Sequence, residues 1–158
     1  MARNIPAITD VSTLEDGDLV YLVLLGLLGG VADVVTCNFV RTNGETFNIR
    51  PEGAAHDGFE FSTDVADNGT LTAIGRGYLS GKSMLVPGDD AGTAWADQQL
   101  ALLEIDRIRK EVAERAADVE ANDPGSPEAV AETKQVLDLL RDLHRLETKA
   151  NEYKQARA

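Results

Sequence analysis

The chain is poor in the residues that most catalytic chemistry requires. It holds one cysteine and two histidines among 158 residues, and aromatics make up only 5%. The lone Cys37 can form no internal disulfide, so folding does not depend on one. Basic clusters are also missing: 15 Lys and Arg stand against 27 Asp and Glu, a net charge of -12. An acidic surface of this kind repels phosphate backbones and anionic lipid, which argues against nucleic acid and anionic membranes as partners. The longest apolar run, residues 19–32, falls short of the roughly 20 residues that a membrane helix needs. It follows the acidic Glu15-Asp16-Gly17-Asp18, the opposite of a signal peptide's basic start, so neither a membrane span nor a signal peptide is expected.

What is present changes along the chain. Residues 1–90 carry most of the Gly, Thr and Phe, whereas residues 91–158 are rich in Ala, Leu, Glu, Arg and Gln. That shift separates strand formers from helix formers. It predicts an antiparallel β domain over 1–90 and a helical hairpin over 91–158, with the boundary near Pro87-Gly88-Asp89-Asp90-Ala91-Gly92.

Within the first part, Val20-Tyr21-Leu22-Val23 has strand-type side chains, and Gly26, Gly29 and Gly30 would weaken a helix. The run therefore reads as a strand, a Gly-rich bend and a return strand over 34–42, with its apolar residues in the core. A lipid-inserting loop at Leu25-Gly26-Leu27-Leu28-Gly29-Gly30 is the sharper alternative. Asn43-Gly44 and Asn68-Gly69 are type I′ turn dipeptides. A two-residue loop at the first pairs Val40 with Phe47. The second sets Phe59 opposite Tyr78, Phe61 opposite Arg76 and Thr63 opposite Ile74.

In the second part, Thr93 is a candidate N-cap for a helix ending near Ala121, with Leu102, Ile105, Ile108, Val112, Ala116 and Val119 stepping by three and four. Asn122-Asp123-Pro124-Gly125 stops it, and Ser126-Pro127-Glu128 supplies an N-cap, an N1 proline and an acid for the next. The second helix shows a heptad of Ala129, Val136, Leu139, Leu143, Leu146, Ala150 and Tyr153, with Glu132 unfavourable at one core position. Leu137 and Leu140 widen this face beyond what a two-helix hairpin covers. Leu102, Ile105, Val112, Val136, Leu139, Leu143, Leu146 and Tyr153 are therefore the candidate oligomer or docking residues.

Motifs for chemistry fail on spacing. Gly81-Lys82-Ser83 resembles the end of a phosphate-binding loop, but the required upstream glycine is Arg76 and the strand-like Met84-Leu85-Val86-Pro87 follows where a helix is needed. His56 lies in a loop and His144 on the outer side of a helix, neither with a second ligand at metal spacing. Cys37 has no partner base. Asp16-Gly17-Asp18 and Asp64 with Asp67 offer oxygen ligands but match no calcium loop. Trp95 reads as an anchor onto the β part, or else as an exposed partner contact. No catalytic, metal or cofactor site is expected.

Ile5-Pro6-Ala7-Ile8-Thr9-Asp10-Val11-Ser12-Thr13-Leu14-Glu15-Asp16-Gly17-Asp18-Leu19-Val20-Tyr21-Leu22-Val23 resembles a strand-leading motif of fibre, tail and other virion proteins of tailed bacteriophages. Asp10 and Ser12 can satisfy backbone donors there, Gly17 permits the bend and Asp18 closes it. The apolar Leu24-Leu25-Gly26-Leu27-Leu28-Gly29-Gly30 departs from the polar turn usual in that motif, which implies a neighbour covering the loop. The expectation is an α+β chain, a small sandwich- or barrel-like antiparallel β domain and then a long antiparallel helical hairpin. The resemblance implies a non-enzymatic virion structural subunit of fibre, tail, neck or capsid-decoration type. Its partners would be copies of itself, as a trimer or larger, and other virion proteins. A cellular ligand- or peptide-binding module that dimerises through its helices is the alternative, marked by an apolar pocket beside Phe59, Phe61 and Tyr78. A small enzyme using carboxylates is a further one.

Overall fold

Phe39, Phe47 and Phe61 are completely buried, and they stack across three neighbouring strands with ring centroids 5.2 and 5.8 Å apart. A computed structural model of the chain describes residues 4–54, 58–74 and 82–156. Its elements are a short 3-10 turn at Val11–Thr13, strands β1 (Leu19–Leu25), β2 (Val31–Arg41), β3 (Thr46–Pro51), β4 (Phe59–Ser62), β5 (Ala73–Ile74) and β6 (Ser83–Pro87), and helices α1 (Asp90–Ala121) and α2 (Pro127–Ala156). The architecture is α+β, strands first and then a helical hairpin. By contact the chain divides into residues 1–99 and 100–158, each a unit of its own.

The strands form one antiparallel sheet in the order β5-β4-β3-β2-β1-β6. It curls into a half-barrel whose two ends are bridged through residues 71 and 72. Ser62 N donates to Thr72 O beside β4, and Leu71 N donates to Ser83 O at the free edge of β6, which also receives Ile8 N through Leu85 O. Val20, Leu22, Cys37, Phe39, Phe47, Ile49, Phe61 and Leu85 line the interior with Val11 and Leu71. Each fully buried Phe, Leu or Ile contributes about 1.5–3 kcal/mol. β1 is buried on both faces, which is why its sequence is apolar without alternation. On the other face Tyr21 donates to Thr93 at 3.1 Å, and Trp95 and Ala96 on the same helical turns are buried, so the start of α1 covers it. Trp95 is thus a core anchor and is not exposed to a partner.

Register departs from the turn chemistry in both Asn-Gly hairpins. Arg41 pairs with Phe47 and Val40 with Asn48, one residue away from the expected Val40–Phe47 pair. Neither Asn43 nor Gly44 takes a positive φ; a four-residue loop forms, with Asn43 Oδ1 accepting from Glu45 N and Thr46 N. A one-residue slip would turn Phe47 to the opposite face, and burying it beside Phe39 and Phe61 outweighs the I′ preference. At the second turn Glu60 pairs with Ile74 and Phe61 with Ala73, so Thr63 does not oppose Ile74. The Asn68-Gly69 turn closes as Gly69 N to Ala66 O, with only the glycine at positive φ, inside a longer loop. The proposed partners Arg76 and Tyr78, together with His56 and Gly81, lie outside the described residues.

The segment before β1 braces the interior. Asp10 Oδ1 accepts from Ser12 N at 2.9 Å and from Ser12 Oγ at 2.6 Å, which caps the 3-10 turn and holds the Asp10 carboxyl below its ordinary pKa. Gly17, at φ +90°, makes the bend, and its N–H donates to Phe39 O. Asp18 closes the bend by accepting from Glu15 N, and Asp16 Oδ1 accepts from Arg41 N. The Arg41 guanidinium reaches back to Val11 O at 3.2 Å and Leu14 O at 2.9 Å and stacks over the Phe39 ring. Val11 is thereby seated in the core.

α1 begins earlier than its expected cap: Asp89 accepts from Gly92 N at 2.7 Å, and Thr93 serves instead as the acceptor for Tyr21. α2 starts as expected, with Ser126 Oγ accepting from Ala129 N ahead of Pro127.

Arg41→Ala should destabilise the chain by about 1–2 kcal/mol, since it strips a charged donor from two carbonyls. Arg41→Lys should recover only part, because an ammonium can reach the carbonyls but lacks the planar guanidinium that lies over the Phe39 ring. Urea denaturation of the three proteins checks this; equal midpoints would show that the brace is idle.

Candidate docking surfaces

The helical hairpin is held by a seam that matches the heptad. Ile105, Ile108 and Ala129 are buried, and Val112, Val119, Val136, Leu139, Leu143, Leu146 and Ala150 are half-buried. Cross-helix pairs show the antiparallel alignment: Arg109 with Glu147 at 2.6 Å and Arg115 with Glu132 at 3.3 Å. Of the expected interface residues, Ile105, Val112, Val136, Leu139, Leu143 and Leu146 face this seam within one chain. Leu102 stands off it, 41% exposed, and Ala116 is exposed as well. The side chain of Tyr153 lies outside the described ones.

Arg115 takes the seam place that the periodicity gave to Ala116. It bonds Glu111 on its own helix and both Glu132 and Gln135 on α2, and the two glutamates raise its pKa, the bond to Glu111 most. Glu132 is therefore not a misplaced core residue but the partner of an arginine opposite. Nothing in a single-helix pattern reveals that match, because the two residues are paired only by the fold-back. Outside the seam, Arg107 bridges Glu104 and Glu111 on the solvated face and holds the Glu104 carboxyl below its ordinary pKa.

Among the described residues the largest apolar exposures fall in two places. On α2, Val130, Leu137 and Leu140 lie beside the seam at 60%, 56% and 42% exposure. On the sheet unit, Leu27 and Leu28 form the tip of the β1–β2 hairpin and are fully exposed, at 102% and 101%. The core expected across residues 19–32 thus holds for residues 20–25 and Val31 but fails at Leu19, at Ala32 and at the tip. Gly26 N donates to Gly30 O, and Gly29, at φ +78°, donates to Gly26 O, which closes a tight turn that points both leucines outward. Hiding one leucine from water is worth about 1.5–3 kcal/mol.

The groups considered for chemistry are spent on structure. Asp16 and Asp18 accept backbone N–H groups as above, and among the described residues no three His, Cys, Asp or Glu side chains gather to hold a metal. β6 follows Lys82 where a phosphate loop needs a helix. His144 is exposed on α2. Phe61 is sealed in the core, so it cannot line the pocket that a ligand-binding reading places beside Phe59 and Tyr78. No described helix is long and apolar enough to cross a membrane. Compared with known proteins, the chain matches no family model, no curated protein and no solved structure.

Cys37 is completely buried, and burial pushes its thiol up to about 11. It should be inert to a thiol reagent such as Ellman's reagent at pH 8 in the folded protein and react in full in denaturant; rapid labelling of the folded chain would refute this burial. For the polar layer, Arg115→Leu alone should lower the melting temperature by leaving Glu132 without its arginine, and adding Glu132→Leu should restore or exceed it. Thermal melts by circular dichroism decide, and a further fall in the double variant would count against the pairing.

Proposed function

We propose that this chain is a non-enzymatic structural subunit that works by assembling with copies of itself, as a virion component of a tailed virus. The observation that carries the reading is the row of Val130, Leu137 and Leu140 on α2, left exposed although the hairpin seam is already formed by other residues. Isolated surface leucines need no explanation, but large side chains spaced along one side of a helix mark a contact surface. A closed homo-oligomer is the commonest way to cover such a surface. Net charge of -12 keeps the particle surface soluble and discourages unspecific association.

The virion assignment rests on the resemblance of residues 5–23. In this chain the polar residues of that stretch brace a stiff β unit: Asp10 caps, Gly17 and Asp18 bend, and Arg41 ties the segment down. A braced β unit carried on an assembling helical hairpin suits a fibre, tail, neck or decoration subunit, where function is shape and contact.

Light scattering across a dilution series should give a trimer or larger species. Leu137→Asp with Leu140→Asp should reduce it to smaller species while far-UV circular dichroism stays unchanged, because both residues lie outside the seam. A natural chain that is monomeric at every concentration would overturn the proposal.

A further inference from the structure

Asn43-Gly44 and Asn68-Gly69 are the same dipeptide, and each asparagine uses its side chain in the same way. Asn43 Oδ1 accepts from Glu45 N at 2.7 Å, and Asn68 Oδ1 accepts from Thr70 N at 3.0 Å. What differs is the N–H of the glycine that follows each one. The structure assigns Asn43 as a site of spontaneous deamidation through attack by Gly44 N, with Asn68 protected by the fold. The reaction needs only this chain and water, so it is independent of whether the chain assembles.

The chemistry is an intramolecular acyl transfer. Gly44 N gives its proton to hydroxide and bonds to Asn43 Cγ; the Cγ–Nδ2 bond breaks, and Nδ2 takes a proton from water and leaves as ammonia. A five-membered cyclic imide remains. Water then opens it at one carbonyl or the other, giving an aspartate in the normal main chain or one linked onward through Cγ. The net change is one water consumed and one ammonia released, with nothing oxidised or reduced.

The bond from Glu45 N to Oδ1 closes a ring that contains both reacting atoms, Asn43 Cγ and Gly44 N, and so holds the side chain folded over its own peptide. Thr46 N donates to the same oxygen at 2.8 Å. Two N–H groups thus face the oxygen on which negative charge builds as the nitrogen adds to Cγ. Gly44 N has no acceptor among the described residues, and the glycine is exposed with open space around it. Gly69 is the opposite case. Its N–H donates to Ala66 O at 2.8 Å, the residue is buried, and a Cβ placed on it would stand 2.5 Å from that of Ala7. That nitrogen is shielded from base and pinned in its turn. Freeing it breaks a buried hydrogen bond, which slows reaction at Asn68 by about tenfold or more.

Modification at Asn43 reaches beyond the turn. Thr63 N donates to Glu45 O at 2.9 Å and Thr63 Oγ1 to Gly44 O at 3.1 Å, which ties the β2–β3 loop to the chain after β4. The normal aspartate keeps an oxygen for the Glu45 and Thr46 N–H groups, and its charge strengthens those bonds. The product linked through Cγ lengthens the main chain by one carbon and draws the two carbonyls away from Thr63.

The test is incubation of the folded chain in mildly alkaline buffer, with peptide mapping by mass spectrometry over time. The expected result is conversion at Asn43 about tenfold or more faster than at Asn68, with the two rates drawing together in guanidinium, where Gly69 N is released. Gly44→Ala fits the fold, because position 44 has no left-handed φ and nothing stands where its Cβ would go. That Cβ obstructs ring closure, so the variant should slow conversion at Asn43 and leave Asn68 unchanged. Equal rates at both asparagines in the folded chain, faster conversion at Asn68, no conversion at Asn43 on the timescale of the denatured chain, or a rate at Asn43 indifferent to Gly44→Ala would each overturn the assignment.

Discussion

The packing of Phe39, Phe47 and Phe61 onto one face sets the register of β2, β3 and β4, and most of the sheet unit follows from it. Side chains alternate between faces, so once the three rings share the interior, Ile49 must join them and Asn48 and Glu60 must point away. The same choice brings Arg41 opposite Phe47, with its guanidinium over the Phe39 ring and within reach of the Val11 and Leu14 carbonyls. The N-terminal brace is thus a consequence of strand register. Had the Asn-Gly turn set the pairing, Arg41 would be out of step and Val11 would have no seat.

This hierarchy explains which parts of the sheet were legible from residues alone. The strand at 19–25, the return strand and the proline-ended β6 could be read because each is an apolar or β-branched run bounded by glycine, acid or proline. Register was not legible at either Asn-Gly pair, because a turn dipeptide contributes a local preference while the burial of a phenylalanine depends on strands distant in sequence. Turn types differ by little in energy. A misplaced Phe costs several times more, since its whole side-chain burial of about 1.5–3 kcal/mol is lost. The polar roles of Asp10 and Asp18 were readable for the opposite reason, their side chains being satisfied within three residues of themselves. The tie of the Leu14 and Val11 carbonyls to Arg41 spans 27 and 30 residues and was not.

The helical hairpin shows the same division. Its stop at Asn122 to Gly125, the Ser126 cap and the α2 heptad are local patterns, and the structure bears them out. The α1 stripe slipped at both ends: Leu102 and Ala116 are exposed, and Arg115 faces the partner helix where Ala116 was expected. A hydrophobicity pattern assigns arginine to solvent by default. Across an antiparallel seam, however, a half-buried Arg can face a half-buried Glu, and each makes the other's position acceptable. The apparent fault in the α2 heptad and the apparent slip in the α1 stripe are one feature seen from two sides. Such a polar layer favours one alignment over its neighbours, because sliding α2 by a turn would strand Glu132 among apolar residues.

The candidate docking surfaces were half legible, and the reason lies in what a sequence can say about burial. Leu137 and Leu140 declared themselves by falling outside a seam that was already complete. Leu27 and Leu28 did not, because an apolar run bracketed by acids reads as core along its whole length, and only the tight Gly26 to Gly30 turn separates the buried residues from the exposed ones. Exposure there is not forced by lack of room in the fold, since β1 places its other apolar residues in the interior with ease. A polar pair would serve the turn geometry equally well, because the left-handed position belongs to Gly29 and the two central positions have ordinary backbone angles. Two leucines at those positions are therefore unexplained by the folding of the isolated chain.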